Sequence, residues 1–216
     1  MISTILFDMD GVVSNTEPAH EKADAFILKK YGVTLDERWK EIKGMRELDV
    51  YKRAIEMYNI KGATPEEILE KKIAIFGKFK EDIRLFSGLH TALSLVKSKY
   101  NVALVSSSPK PIVDIVVQRF ELSKYFDRII TGDDVKKGKP DPEPYLKAAK
   151  ELGVHPEECV VVEDSINGVK SAKAAGMKCI GITNSFPREE LERAGADYVI
   201  DVIVELPVAL EAISKN

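Results

Sequence analysis

Apolar positions along the chain follow two rhythms. Ile5-Leu6-Phe7 is a short continuous apolar run that stops at Asp8-Met9-Asp10-Gly11, the pattern of a buried strand running into a polar loop. The runs at 102–105 into Ser106-Ser107-Ser108, 160–162 into Glu163-Asp164-Ser165, and 179–182 into Thr183-Asn184 repeat the form, and Ile129-Ile130 into Thr131-Gly132 is a shorter fifth. Between them the period becomes helical. Leu89, Ala92, Leu93 and Val96 share one face, and further helices are predicted over 112–120, over 144–152 closed by Gly153, and over 167–175 closed by Gly176. Strand and helix alternate, which predicts an α/β fold with a parallel sheet covered on both faces.

Residues from about 15 to 86 break the alternation, with helical patterns and no convincing strand. Pro18 suits the first turn of a helix ending near Gly32, and Thr64-Pro65-Glu66-Glu67 is a capping box opening an amphipathic helix with Ile68, Leu69, Ile73, Phe76 and Phe79. The expected organisation is a core of residues 1–14 and 87–216 with an all-helical insert at 15–86. Such an insert leaves and rejoins the sheet at neighbouring points, so it is expected to pivot as a lid on two linkers.

Composition narrows the classes of function. The 216 residues are 44% hydrophobic and 31% charged with a net charge of −3, a folded, soluble pattern without a basic footprint for nucleic acid or an anionic membrane. No apolar run approaches the roughly 20 residues of a membrane span, and the first residues lack the basic flank of a signal peptide. Cys159 and Cys179 lie in apolar runs outside any Cys-x-x-Cys pair and read as buried thiols, so a reducing cytoplasm is the expected compartment.

Ligands of open parallel sheets bind beyond the carboxyl ends of the strands, where Asp8, Asp10, Ser106, Glu163 and Asp164 stand. Unit charges about 4 Å apart interact by about 4 kcal/mol at an effective dielectric near 20, so converging carboxylates call for a cation. A hard divalent ion with oxygen ligands is the natural remedy; Mg²⁺ uses one or two carboxylates, waters and a substrate phosphate. Ser106 can donate to a phosphate oxygen and Lys139 can supply positive charge. Two aspartates two residues apart allow one to attack phosphorus and the other to move a proton. Singly, each of these residues is also compatible with an ordinary turn. Other phosphate and hydrolase motifs fail: Gly11 in an EF-hand frame puts Leu6 at the first ligand position, Pro140 follows Lys139 where a Walker A loop needs Ser or Thr, and neither Gly-x-Gly-x-x-Gly nor Gly-x-Ser-x-Gly occurs.

Four segments in order carry a resemblance. Phe7-Asp8-Met9-Asp10-Gly11-Val12-Val13, Ser106 after Val-Ala-Leu-Val, Gly138-Lys139-Pro140-Asp141-Pro142, and Val162-Glu163-Asp164-Ser165-Ile166-Asn167-Gly168 resemble the motifs of the haloacid dehalogenase-like (HAD) phosphotransferases. The chain is similar to the branch with a helical cap after the first motif, which includes β-phosphoglucomutases and sugar-phosphate phosphatases. The resemblance implies a Rossmann-like core, Asp8 as the nucleophile that becomes an aspartyl phosphate, and Asp10 as general acid/base. It implies Ser106, Ser107 and Lys139 as phosphate-binding residues, and Mg²⁺ held by Asp8, the Asp10 carbonyl, Glu163 and Asp164. Dehalogenases of the family lack the second acid, so the presence of Asp10 points away from carbon–halogen cleavage.

The insert is expected to select the substrate. His20 falls where the mutases carry a histidine coupling cap closure to Asp10, with a solvated helix position as the alternative. Lys43-Gly44-Met45-Arg46 resembles the mutases' Lys-Gly-x-Ser-Arg substrate loop but is one residue short; on a helix one residue is about 100° of rotation, enough to aim Arg46 elsewhere. Trp39 is expected to anchor the cap core or face the substrate, while His90 and His155 read as structural or exposed. The function expected is a Mg²⁺-dependent phosphatase, monomer or weak homodimer, acting on a small phosphorylated metabolite such as a sugar phosphate. The alternatives are a β-phosphoglucomutase and, in another class, a non-catalytic phosphometabolite or partner-binding protein.

Overall fold

The computed structural model describes residues 1–42 and 44–214. Six parallel strands form the sheet: β1 (Thr4–Phe7), β4 (Asn101–Val105), β5 (Arg128–Ile130), β6 (Cys159–Glu163), β7 (Lys178–Ile182) and β8 (Tyr198–Ile200), in the order β5-β4-β1-β6-β7-β8. Thr4–Phe7 pairs with 101–104 on one side and 159–162 on the other, so β1 lies at the centre. From β1 the chain builds outward through β4 to β5, then returns to the far side of β1 with β6. That reversal opens a crevice above β1, flanked by the ends of β4 and β6.

The inner strands β1, β4, β6 and β7 read as near-continuous apolar runs because both faces are covered. Ile5 and Phe7, Val102 and Leu104, and Val160 and Val162 pack toward α4 (Leu89–Lys97), α5 (Lys110–Arg119) and α9 (Leu206–Ser214). Leu6, Ala103 and Val161 point the other way, toward α6 (Glu143–Leu152), α7 (Ile166–Ala174) and α8 (Arg188–Ala194). Both cysteines are buried and unbridged.

The insert contains α1 (Glu17–Leu28), α2 (Glu47–Tyr58) and α3 (Pro65–Phe76), packed around a separate core of Ile27, Leu28, Trp39, Ile42, Val50, Tyr51 and Ile68. Thr64 caps α3 as expected, its hydroxyl accepting from the Glu67 amide while Glu67 accepts from the Thr64 amide. One difference from the sequence pattern lies at the insert's base, where β2 (Ser14–Asn15) and β3 (Arg84–Leu85) form an antiparallel ribbon. Two-residue strands are too short to show a period. β8, α8 and α9 also add to the elements the apolar pattern outlines. No helix among the described residues is long and apolar enough to cross a membrane.

Candidate active site

Asp8 follows the last residue of β1, and its backbone N–H still donates to the Val162 carbonyl of β6. The chain then turns through Gly11, whose φ of 90° favours glycine. A Cβ there would stand 1.8 Å from Asp164 Oδ2, so the turn brings backbone directly against the loop after β6. Gly168 is constrained in the same way, since its Cβ would sit 1.8 Å from the Glu163 carboxyl. Gly11 thus lets the turn after β1 approach the loop after β6, and Gly168 lets the start of α7 close over the Glu163 carboxyl of its own segment.

Lys139 arrives from the loop between β5 and α6 and is 1% exposed. Its ammonium donates to Asp8 Oδ1 (2.5 Å), Glu163 Oε1 (2.7 Å) and the Val105 carbonyl (3.3 Å). Burial opposes the charge, and the carboxylates of Asp8 and Glu163 outweigh it, holding the ammonium above its ordinary range. Glu163 is saturated: beyond Lys139, Oε1 accepts from the Tyr145 hydroxyl, and Oε2 accepts from the amides of Asp164 and Ser165 and from the Ser165 hydroxyl. It therefore positions the lysine.

Asp10 has a different environment. It keeps 27% of its side chain exposed against 7% for Asp8, and it lies among hydroxyls. Thr16 donates to Oδ1 at 2.5 Å, while Ser106 and Ser108 donate to Oδ2 at 3.2 and 3.0 Å. His20 Nε2 lies 3.4 Å from Oδ1, and its Nδ1 is 3.1 Å from Glu47 Oε1. Burial raises Asp10, but the His20 ring, Thr16 and Ser108 bring it down to about 2. Burial and the Lys72 ammonium lower His20, while Asp10 and Glu47 override them and lift it to about 9. Near neutral pH these opposite shifts favour an ionised Asp10 facing a protonated His20.

Asp8, Glu163 and Asp164 offer buried ligand oxygens within 4.8 Å of one another. Asp8 is pushed well above the usual carboxylate range by burial, which Lys139 only partly offsets, with Glu163, Asp10 and Asp164 adding to the rise. Asp164 rises to about 8 through burial and Glu163, despite a 2.5 Å hydrogen bond from Ser185. Crowded oxygen donors with raised proton affinity suit a hard divalent cation. Because Glu163 is saturated, Asp8 and Asp164 are the carboxylates best free to take one.

Asp8, Asp10, Asp164, Ser107 and Ser108 line the floor of a cavity roofed by the insert, with His20, Asp24, Trp39 and Glu47 above, while Lys139 and Glu163 stay buried outside the lining. A family model described as "Haloacid dehalogenase-like hydrolase" matches residues 5–182. The chain belongs to that family. It is 36% identical over 190 residues to the phosphorylated carbohydrates phosphatase of Thermotoga maritima, a match covering 85% of this chain and 87% of that protein. It is 31% identical over 212 residues to hexitol phosphatase B of Escherichia coli, covering 95% and 94%. The β-phosphoglucomutase structure from Clostridium difficile superposes with a TM-score of 0.85 at 28% identity, covering 95% of this chain and 93% of that one.

Within this HAD-like site the sequence-derived residues separate. Asp8, Asp10, Lys139, Glu163 and Asp164 converge, and His20 joins Asp10 rather than solvent. Ser106 sits beneath Asp10, 2% exposed, and receives the Ser108 amide at 3.0 Å. Ser107 lines the cavity, and its hydroxyl donates to the Gly44 carbonyl of the insert (2.9 Å). Arg46 turns away from the cavity: its guanidinium donates to Asp49 and, across the seam, to the Val135 carbonyl (2.8 Å). Lys43 lies outside the described residues. Trp39 both packs in the insert core and lines the cavity, while His90 and His155 are exposed, as expected. Sequence reasoning singled out neither Thr16, Ser108, Tyr145 nor Ser185, whose hydroxyls serve the site carboxylates. Nor did it single out Asp24, Glu47 or Lys72. Polar residues at helical positions carry no signal that separates a buried network from a wet face.

Proposed function

We propose that this enzyme is a Mg²⁺-dependent phosphatase of small phosphorylated metabolites, of the sugar-phosphate type, working through an aspartyl phosphate on Asp8. The observation that carries this reading is Asp8, tied by the Lys139 ammonium to Glu163, standing with a more exposed Asp10 at the floor of one cavity. The names of the Thermotoga and Escherichia relatives support the substrate class. Asp8 and Asp164, with the Asp10 carbonyl, would hold Mg²⁺, which when bound supplies positive charge to these carboxylates and to phosphate oxygens.

An Asp8 carboxylate oxygen attacks phosphorus in line while the bond from phosphorus to the leaving oxygen breaks. Lys139 neutralises charge on the transferring oxygens and holds Asp8 in place. A phosphate arriving beside Asp10 raises its proton affinity, so that it retains the proton taken from water in the preceding turnover and passes it to the leaving alcohol. Asp10, again ionised, then takes a proton from water as the water oxygen attacks the aspartyl phosphate; the phosphorus–Asp8 bond breaks and inorganic phosphate leaves. His20, carrying a proton against Asp10 and Glu47, positions Asp10 and links it to the insert, residues 15–86, which acts as the lid.

The direction of Arg46 favours hydrolysis over phosphoryl migration, because a mutase must grip a second phosphate and this guanidinium is engaged at the seam. Phosphorus NMR with Mg²⁺ tests the reading on a panel of hexose, hexitol and glycerol phosphates, with Asp8→Asn as control. Free phosphate that the control does not release is the expected result. Conversion of β-glucose 1-phosphate to glucose 6-phosphate without free phosphate, in the presence of trace bisphosphate, would show a mutase. No turnover of any ester would leave a binding protein.

A further inference from the structure

The loop after β7 touches both segments that supply oxygen ligands, and the steps above give it no part. Two adjacent residues, Asn184 and Ser185, each donate from the side chain into the site. The Ser185 hydroxyl donates to Asp164 Oδ2 at 2.5 Å, on the loop after β6, and Ser185 itself lines the cavity. The Asn184 side-chain amide donates at 2.7 Å to the Gly11 carbonyl, on the turn after β1. These contacts reach across 21 and 173 positions of the sequence, so they are made by the fold and not by a local turn.

Each bond fixes a group next to the place a cation would take. A hydrogen bond to one carboxylate oxygen sets the plane of the group, and with it the direction of the other oxygen. On the facing side, the Gly11 N–H belongs to the same peptide as the Asp10 carbonyl and donates to the Ser14 carbonyl at 2.8 Å. With its own carbonyl held by Asn184, Gly11 is tied at both of its peptide groups, which removes the freedom a glycine otherwise has. The loop that does the holding is anchored in turn: the Thr183 N–H donates to the Ile200 carbonyl of β8 at 3.1 Å, and Phe186 packs against the core around Leu6, Val161 and Cys179.

Resting on the Mg²⁺ reading, we propose that Asn184 and Ser185 form a clamp that presets the metal site. Ser185 orients Asp164, and Asn184 holds the turn that carries the Asp10 carbonyl. Both are positioning residues, acting on the ligands from outside the ligand set, where a lost partner costs about 10–100-fold in metal affinity.

Mn²⁺ alone is the probe, titrated against the enzyme without ester and followed by the paramagnetic resonance of the free ion. Ser185→Ala and Asn184→Ala are each expected to weaken binding by about tenfold or more. Ser185→Thr, which keeps the hydroxyl, is expected to bind as wild type does, and Ser185→Val, of the same shape without it, to bind as weakly as the alanine variant. Thr183→Ala removes another hydrogen bond of the same loop, to Asp201 at 3.0 Å, and is expected to leave the affinity unchanged. Wild-type affinity in Ser185→Ala and Asn184→Ala overturns the clamp and leaves the Mg²⁺ reading standing, even where kcat/KM falls, because the loop then serves the ester. Equal weakening in Thr183→Ala also overturns it. Asn184 and Ser185 are exposed, so unfolding midpoints in EDTA are expected to stay near that of wild type. If an alanine variant unfolds, the comparison of Ser185→Thr with Ser185→Val decides. Absence of Mn²⁺ binding by the wild-type enzyme removes the Mg²⁺ reading and the clamp with it.

Discussion

Lys139 is the residue on which the site's electrostatics turn. Asp8 and Glu163 are both buried, and among the described residues this ammonium alone is paired with both. Lys139→Met keeps length and apolar volume while leaving two carboxylates facing each other. Removing one partner from a buried cluster of this kind costs about 3–5 kcal/mol, so a large fall in denaturation midpoint is expected alongside loss of turnover. His20 makes a prediction of opposite pH sense to that of an ordinary acid pair. Its folded pKa, lifted to about 9, exceeds the usual 6.5, so its contribution is fully present below pH 6.5 and is lost as pH rises through 9. His20→Gln is expected to cost at most about 3 kcal/mol near pH 6, with the gap from wild type closing by pH 9.5 in chemical denaturation series. A gap independent of pH would mean that His20 stabilises by packing on Phe76 alone, whose ring centroid is 4.7 Å away. At this scale Asp8, Asp10, Lys139 and Asp164 could be read from the chain because each stands in a loop at the rim of a parallel sheet. Asp24 and Lys72 could not, since their partners lie 25 to 48 residues away on other helices.

Elements follow the same division between strong local signals and tertiary ones. β1, β4, β6 and β7 announce themselves because strands buried on both faces are apolar without interruption. β8 has three residues at the sheet edge, with Tyr198 exposed, so its pattern is hard to tell from a loop. The ribbon of β2 and β3 exists only because the two ends of the insert meet, a fact of topology that no local period records. The start of α3, by contrast, is written in Thr64 and Glu67. Thr64→Ala removes the hydroxyl that accepts the Glu67 amide and is expected to cost about 1 kcal/mol in urea unfolding. This helix carries both Lys72 and Phe76, so loosening its first turn is also expected to raise KM more than it lowers kcat. A fall in kcat alone would instead place the effect on the chemical step at the floor.

At the scale of the whole molecule, the seam between insert and core is held by a short segment. Gly44 accepts from Ser107, the Glu47 amide donates to the Ser107 carbonyl at 3.2 Å, and Arg46 reaches the Val135 carbonyl. Arg46 also fills the space over Gly138, where a Cβ would stand 2.3 Å from its own, and Gly138 immediately precedes Lys139. The roof is therefore joined to the loops that carry Ser107 and Lys139, and any separation of insert and core must break these contacts together. Arg46→Ala removes one hydrogen bond across the seam, the local pair with Asp49 and that packing, without touching the cavity. A net hydrogen bond is worth about 1 kcal/mol, so exchange of the Glu47 amide with deuterium is expected to quicken by roughly tenfold. Amides at the sheet centre, such as Asp8 donating to Val162, are expected to keep their protection. Faster exchange everywhere would mark a global loss of stability. Unchanged exchange at Glu47 would place the latch elsewhere, because an amide sealed by the closed roof cannot stay protected once the roof opens more often.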